Sequence, residues 1–241
     1  MAMVFAFLMV AAGAFVQTTI GFGFAIVIAP ALFLILPAYI PGPIALVGLV
    51  IALLNAYRYR TSISFHGVGL ALLGRIPGTA AGAALLLVVS AHWLSLWLGL
   101  VVLIAVIVSL LPHRLEPTPT RLLIVGFLSG FMGTSSSIGG PPMALLLQHQ
   151  AANHIRANMA AFFIVSGFMT LIALTMIGHM TLYHVGLALP LIPAAIIGYL
   201  IANKVIHRID KQQMRWLSLV LCSLSAASAI GHFFYQQFWA S

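Results

Sequence analysis

Charge is what this chain has least of. Only 10 basic and 2 acidic residues occur among its 241, making 5% charged, against 63% apolar. A soluble domain carries roughly 25% charged residues, so this composition cannot cover a water-facing surface. A soluble enzyme, a nucleic-acid binder and a disordered chain are excluded on that ground. Cysteine is almost missing as well: Cys222 stands alone and permits no internal disulfide. No HExxH or CxxC spacing occurs, so neither a metal nor another cofactor is expected. The apolar opening stretch, 1–15, lacks a basic leader. It reads as a retained membrane segment and not a cleaved signal peptide.

What is abundant is long apolar runs. A helix crossing a hydrocarbon core of ~30 Å needs about 20 such residues. Runs of that length lie at 41–57, 67–90, 93–111, 155–178, 184–203 and 214–236. Two others, 2–36 and 121–149, are longer and carry glycine-rich interruptions at 19–23 and 133–142. A straight helix over 2–36 would measure about 52 Å at ~1.5 Å per residue, too long for one crossing. Glycine and proline weaken helices and free backbone groups, so both segments are expected to break. Half of 121–149 is too short to span. Each broken segment therefore reads as a re-entrant hairpin.

Positive charge tests that expectation, because Lys and Arg collect on the cytoplasmic side. If all eight segments crossed once, Arg58, Arg60, Arg114 and Arg121 would face one side, and Arg156, Lys204, Arg208, Lys211 and Arg215 the other. If each broken segment returns to the side it left, every one of these residues is cytoplasmic. The uncharged loops and both termini are then external, which suits a bacterial inner membrane with periplasmic termini.

The chain also repeats itself. ValGlyLeuAlaLeu occurs at 68–72 and 185–189, IleProGlyThrAlaAlaGly at 76–82 matches IleProAlaAlaIleIleGly at 192–198, and ThrIleGlyPheGly at 19–23 lies against SerIleGlyGlyPro at 137–141. The offsets, 117, 116 and 118, are nearly constant. Three crossings per half invert the second half relative to the first. The predicted fold is thus an all-α polytopic membrane protein of two inverted-topology repeats, each a re-entrant broken-helix hairpin plus three transmembrane helices. The first repeat is 1–111 (hairpin 2–36, spans 41–57, 67–90 and 93–111), and a proline-rich cytoplasmic linker follows at 112–120. The second is 121–241 (hairpin 121–149, spans 155–178, 184–203 and 214–236). Inverted repeats whose broken helices meet near the midplane are a recurrent plan of secondary transporters.

The glycine motif opening each half (21–30 and 137–142), the ArgIleProGlyThrAlaAlaGly stretch at 75–82 and the duplicated arrangement resemble the TauE/SafE family of sulfite and organosulfonate exporters. The resemblance spans nearly the whole chain. It implies movement of a small sulfur-containing anion or carboxylate across the inner membrane.

Arg75 is the sharpest single signal. It sits about eight residues into the span 67–90, with neither Glu116 nor Asp210 in the membrane to pair with it. A central arginine costs about 2.5–3.5 kcal/mol on insertion scales, and its planar fork matches a carboxylate or sulfonate. The alternative is that its long stem snorkels to the headgroups. The hairpin tips are the second signal: Gln17, Thr18, Thr19, Gly21 and Gly23 in one half, Thr134, Ser135, Ser136, Ser137, Gly139 and Gly140 in the other. A helix restarting there presents free N–H groups to an anion, although small residues also serve plain helix packing. Asn55, Asn153 and Asn158 read as caps or interhelical bonds. The tryptophans and Tyr57, Tyr59 and Tyr183 read as an aromatic belt.

These residues suit a secondary carrier exporting a small anion between two alternating states. Its partners are that anion and the lipid bilayer, with a homodimer permitted and nucleic acid excluded. No membrane carboxylate is available as a proton relay, so the coupling ion is open; export down the membrane potential is worth about 2.3 kcal/mol per charge at 100 mV. An anion channel uses the same donors. An intramembrane serine hydrolase, with Ser135, Ser136 or Ser137 as nucleophile and His149 or His179 as base, lacks a GxSxG elbow and an orienting acid.

Overall fold

Each uninterrupted apolar run becomes a helix, and each run with a glycine cluster becomes two. The structure is a computed structural model that describes residues 2–64, 68–110, 116–147 and 150–206, with isolated positions 220, 223, 227, 230, 231 and 234. The first broken segment gives α1 (Ala2–Ile20) and α2 (Phe24–Ile35), followed by α3 (Gly42–Arg58), α4 (Val68–Val88) and α5 (Ala91–Leu110). The second gives α6 (Pro119–Ser136) and α7 (Gly140–Leu147), then α8 (Ala152–Met176), α9 (Leu182–Ala188) and α10 (Ile192–Val205). A 3-10 turn at Leu189–Leu191 joins the last two, where Pro190 and Pro193 withhold amide donors. Among the described residues every element is helical, and five helical segments are long and apolar enough to cross a membrane: Ala2–Ile20, Pro37–Arg58, Val68–Val88, Ala152–Met176 and Leu182–Val205. Most of the expected span 214–236 lies outside the described residues, as do His66, Arg114, His149, Arg208, Asp210, Lys211 and Arg215.

The breaks come late, not half-way. α1 has 19 residues and α2 has 12; α6 has 18 and α7 only 8. At ~1.5 Å per residue the first arms are about 27–29 Å long, so the expectation of two halves equally too short to span does not hold. Backbone conformation fixes each break. Gly21 and Gly23 have φ of 106° and 109°, and Ser137 takes φ 65°, values that side-chain-bearing residues avoid.

Three pairings hold the bundle: α4 with α6, α1 with α10, and α3 with α8. Without a hydrophobic drive between helices in lipid, close backbone approach supplies the attraction. Gly74, Gly78 and Gly82 of α4 rest on the backbone at Leu123, Phe127 and Phe131 of α6, so these helices run parallel. Gly198 of α10 rests in the same way on Ala11 of α1.

One end of the bundle gathers the basic residues. Ser64 N–H donates to Asn158 Oδ1 (2.8 Å), His154 Nδ1 meets Ser62 O (3.1 Å), and Arg156 lies 5.8 Å from the Tyr59 ring. The parallel runs of α4 and α6 bring Arg121 to that end. Tyr199, which donates to Leu54 O, brings Lys204 there along α3. At the other end, Ser137 donates to Pro41 O (2.7 Å), and Met180 packs on Gly42. Arg156 lies in α8, 8% exposed, and its Nε donates to Thr19 O (2.8 Å) at the C-terminus of α1.

Candidate functional site

The second arm of each broken segment starts at the same place. Phe22, in the first break, and Phe163, on α8, close over Gly140, where an added Cβ would stand 3.2 and 3.1 Å from them. Beside this contact is a cavity of about 70 Å³, lined by Gly23, Phe24 and Ala25 at the start of α2 and by Ser137, Gly139 and Gly140 at the start of α7. That is room for a handful of waters or one compact anion. The first N–H groups of a helix have no partner within it and carry the positive end of its dipole. Two such ends therefore converge on one small space, although α7 offers fewer donors because Pro141 and Pro142 carry no N–H.

Arg75 reaches the same cavity from α4. It is 3% exposed. Its Nη1 donates to Ser129 Oγ (2.9 Å) and its Nη2 to Thr170 Oγ1 (3.1 Å). The scaffold behind these bonds is itself tied: Ser129 donates to Gly139 O, and the hydroxyls of Thr134 and Thr170 are 3.2 Å apart. The Phe162 ring lies 5.5 Å from the guanidinium carbon, within cation–π range. Glycine makes room for the head group: a Cβ at Gly133 would come 2.9 Å from Nη2, and one at Gly139 would come 3.2 Å from Nη1. Nε has no partner. Glu116 is exposed ahead of α6, and no carboxylate lies beside Arg75 among the described residues. A buried guanidinium held only by neutral hydroxyls keeps its full charge for something else to meet.

The sulfite exporter TauE/SafE family matches residues 5–229. The chain belongs to that family. No curated protein and no solved structure matches it. Proteins of the TauE/SafE family are integral membrane transporters for sulfite or related anions rather than enzymes.

Of the residues proposed from the sequence, the cavity of this TauE/SafE protein gathers Arg75, Gln17, Gly23, Ser137, Gly139 and Gly140. The others lie behind it. Thr18 accepts from Asn55 Nδ2 (3.4 Å), an interhelical bond of the expected kind. Thr19 turns its hydroxyl onto Phe15 O and Val16 O, and Gly21 packs against Arg156. Thr134 braces Thr170. Ser135 and Ser136 donate to Phe131 O and Met132 O, each at 2.6 Å. Trp97, expected in the aromatic belt, instead donates from Nε1 to Ser135 Oγ (3.0 Å). The three serines thus give their protons to the backbone carbonyls of Phe131, Met132 and Pro41 and not to His179. Ser129, Ser166, Thr170 and Phe163 are not singled out by the sequence. Ser166 and Thr170 are four apart on α8, so their hydroxyls share a helix face, and that spacing is the one signal the sequence holds for them.

Proposed function

We propose that this protein is a secondary carrier exporting a small anion, such as sulfite, an organosulfonate or a carboxylate, by alternating access between two inverted repeats. The observation that carries the reading is the convergence on one cavity of two helix N-termini and a guanidinium with no carboxylate beside it among the described residues. Anions are favoured by both donor types, and in low dielectric each is worth more than in water. A fixed site at the junction of two broken helices, reached in turn from each side, is the arrangement that rocking of one repeat against the other requires.

The pairings support the inverted halves. Exchanging α1 with α6, α4 with α10 and α3 with α8 maps each of the three main contacts onto another or onto itself. Gly82 and Gly198, equivalent in the repeated sequence, each lie on the backbone of a first arm. The gathering of Arg58, Arg60, Arg121, Arg156 and Lys204 at one end supports a cytoplasmic position for that end, and the proposed topology leaves the termini periplasmic in an inner membrane. An anion channel is the competing reading. Its test is saturable counterflow of labelled sulfite in proteoliposomes, which a carrier gives; ohmic current without counterflow identifies a channel and rejects the carrier.

A further inference from the structure

Two polar groups at the cavity are buried without any hydrogen-bond partner: Arg75 Nε and Ser166 Oγ. Both residues line it, and both are 3% exposed. An unmet buried polar group is costly to keep unless something else meets it. Ser166 takes no part in the scaffold that holds the guanidinium, which uses Ser129, Thr134 and Thr170. Its hydroxyl is therefore free for a ligand.

The rest of the wall is of a different kind. Phe24 and Ile26 of α2, Ile44 and Leu49 of α3 and Phe163 of α8 supply an apolar surface. Among the described residues Arg75 is the only charged one in the lining. The second buried arginine, Arg156, is elsewhere, bonded to Thr19 O and Asn153 Oδ1. Among the described residues no carboxylate lines the cavity, so a cationic group on a ligand would find no countercharge there: only hydrocarbon, neutral side chains such as Gln17 and Ser137, one guanidinium of the same sign and the positive ends of two helices. Burying an ammonium there is strongly unfavourable.

We propose that the cavity takes a compact oxyanion with an uncharged apolar tail, an alkylsulfonate and not an aminoalkylsulfonate, with Ser166 as a head-group ligand beside Arg75. This rests on the carrier reading above. The oxyanion head meets Arg75 Nε and Ser166 Oγ, and the tail lies on the Phe24–Ile44–Leu49 wall.

The test uses purified full-length protein and two ligands of nearly the same shape: propane-1-sulfonate and 2-aminoethanesulfonate, which differ by a methyl in place of an ammonium. Equilibrium binding and counterflow are measured for both, with sulfite and acetate alongside. Propanesulfonate binding at least 30-fold tighter than the aminosulfonate supports the inference. Equal or tighter binding of the aminosulfonate overturns the tail assignment while leaving a working carrier. No binding or counterflow with any of the four rejects the carrier reading itself, and this inference with it. Ser166→Ala tests the second ligand: it should weaken propanesulfonate binding about 10-fold without lowering thermal stability, because it deletes a hydroxyl that holds nothing in the fold. Wild-type affinity in Ser166→Ala removes Ser166 from the site.

Discussion

The two helix breaks use the same kinds of residue and are secured by different means. Each has backbone in the left-handed region, at Gly21 and Gly23 in one and at Ser137 in the other, and each has a buried arginine close by. Arg156 donates to the carbonyl of Thr19, an acceptor at a helix C-terminus, where the dipole favours a cation. Asn153 takes a second N–H and Tyr59 covers the group. Arg75 meets no carbonyl among the described residues. It holds two hydroxyls and stops, with Nε unbonded. A buried cation that caps a helix is a structural element, whereas one suspended among neutral hydroxyls still has charge and donors to spare. Burial alone would rank the two residues together; their acceptors separate them.

The largest effect that could break this contrast is loss of transport on removing either arginine. Arg75→Ala is expected to lower counterflow in proteoliposomes at least 100-fold. The fold should survive, since Ser129 keeps Gly139 O and Thr170 keeps Thr134. Arg75→Lys should retain part of the activity, because it preserves charge and loses the planar fork. Arg156→Ala should transport within a few-fold of wild type per folded molecule. Equal loss in both alanine variants, at equal stability, would erase the distinction.

The next effect sharpens it. Gly133→Ala places a methyl 2.9 Å from Arg75 Nη2 without touching Arg156. The guanidinium must shift, and misplacement of a ligand-holding group by about 1 Å typically costs on the order of 100-fold in rate in enzymes; a binding site should lose roughly 10-fold in affinity. Affinity is read by equilibrium binding of sulfite. An unchanged value means the head group is not held where the ligand meets it.

Much of the architecture is legible in the sequence, because a bilayer imposes length and sidedness more strictly than water does. The spans at α3, α4, α8 and α9–α10 fall within a few residues of the expected runs, and the glycine clusters mark both breaks. Arg75 is legible for the same reason: a charge in an apolar run stands out, although only the structure, which buries it, separates it from a side chain that snorkels to the headgroups. Its partners are not. Ser129, Ser166 and Thr170 are lone hydroxyls in apolar helices, and such a residue reads alike whether it binds, braces or merely packs. The position of each break within its segment is also hidden, since glycine-rich strings allow a turn anywhere along them. Arg156 is legible only in part: its place near a span end reads as a topology signal, whereas its inward fold and its bond to Thr19 O do not show in the sequence.

A smaller effect concerns stability. Arg156→Ala removes a charge-assisted hydrogen bond and leaves Thr19 O without its partner, a change typically worth about 1.5–3 kcal/mol. Its melting temperature should fall by several degrees relative to wild type in the same detergent. Ser166→Ala, by contrast, should melt no lower than wild type. If Arg156→Ala melts like wild type, the capping role assigned to it fails.

The smallest effect distinguishes the surroundings of the two breaks by pH. At the second break Ser137 is bonded to Pro41 O, and the loop containing His179 and Met180 packs on the adjoining Gly42. Partial burial, and then the neighbouring His184, push the His179 imidazole below its ordinary value. The folded state thus favours the neutral ring. Its contribution is fully present above the ordinary histidine value of about 6.5 and is lost as pH falls through the lower folded value. The melting temperature of wild type should therefore drop between pH 7 and pH 5, and His179→Gln should flatten part of that slope. Parallel slopes in the two proteins would place the acid sensitivity somewhere other than the loop that backs the second break.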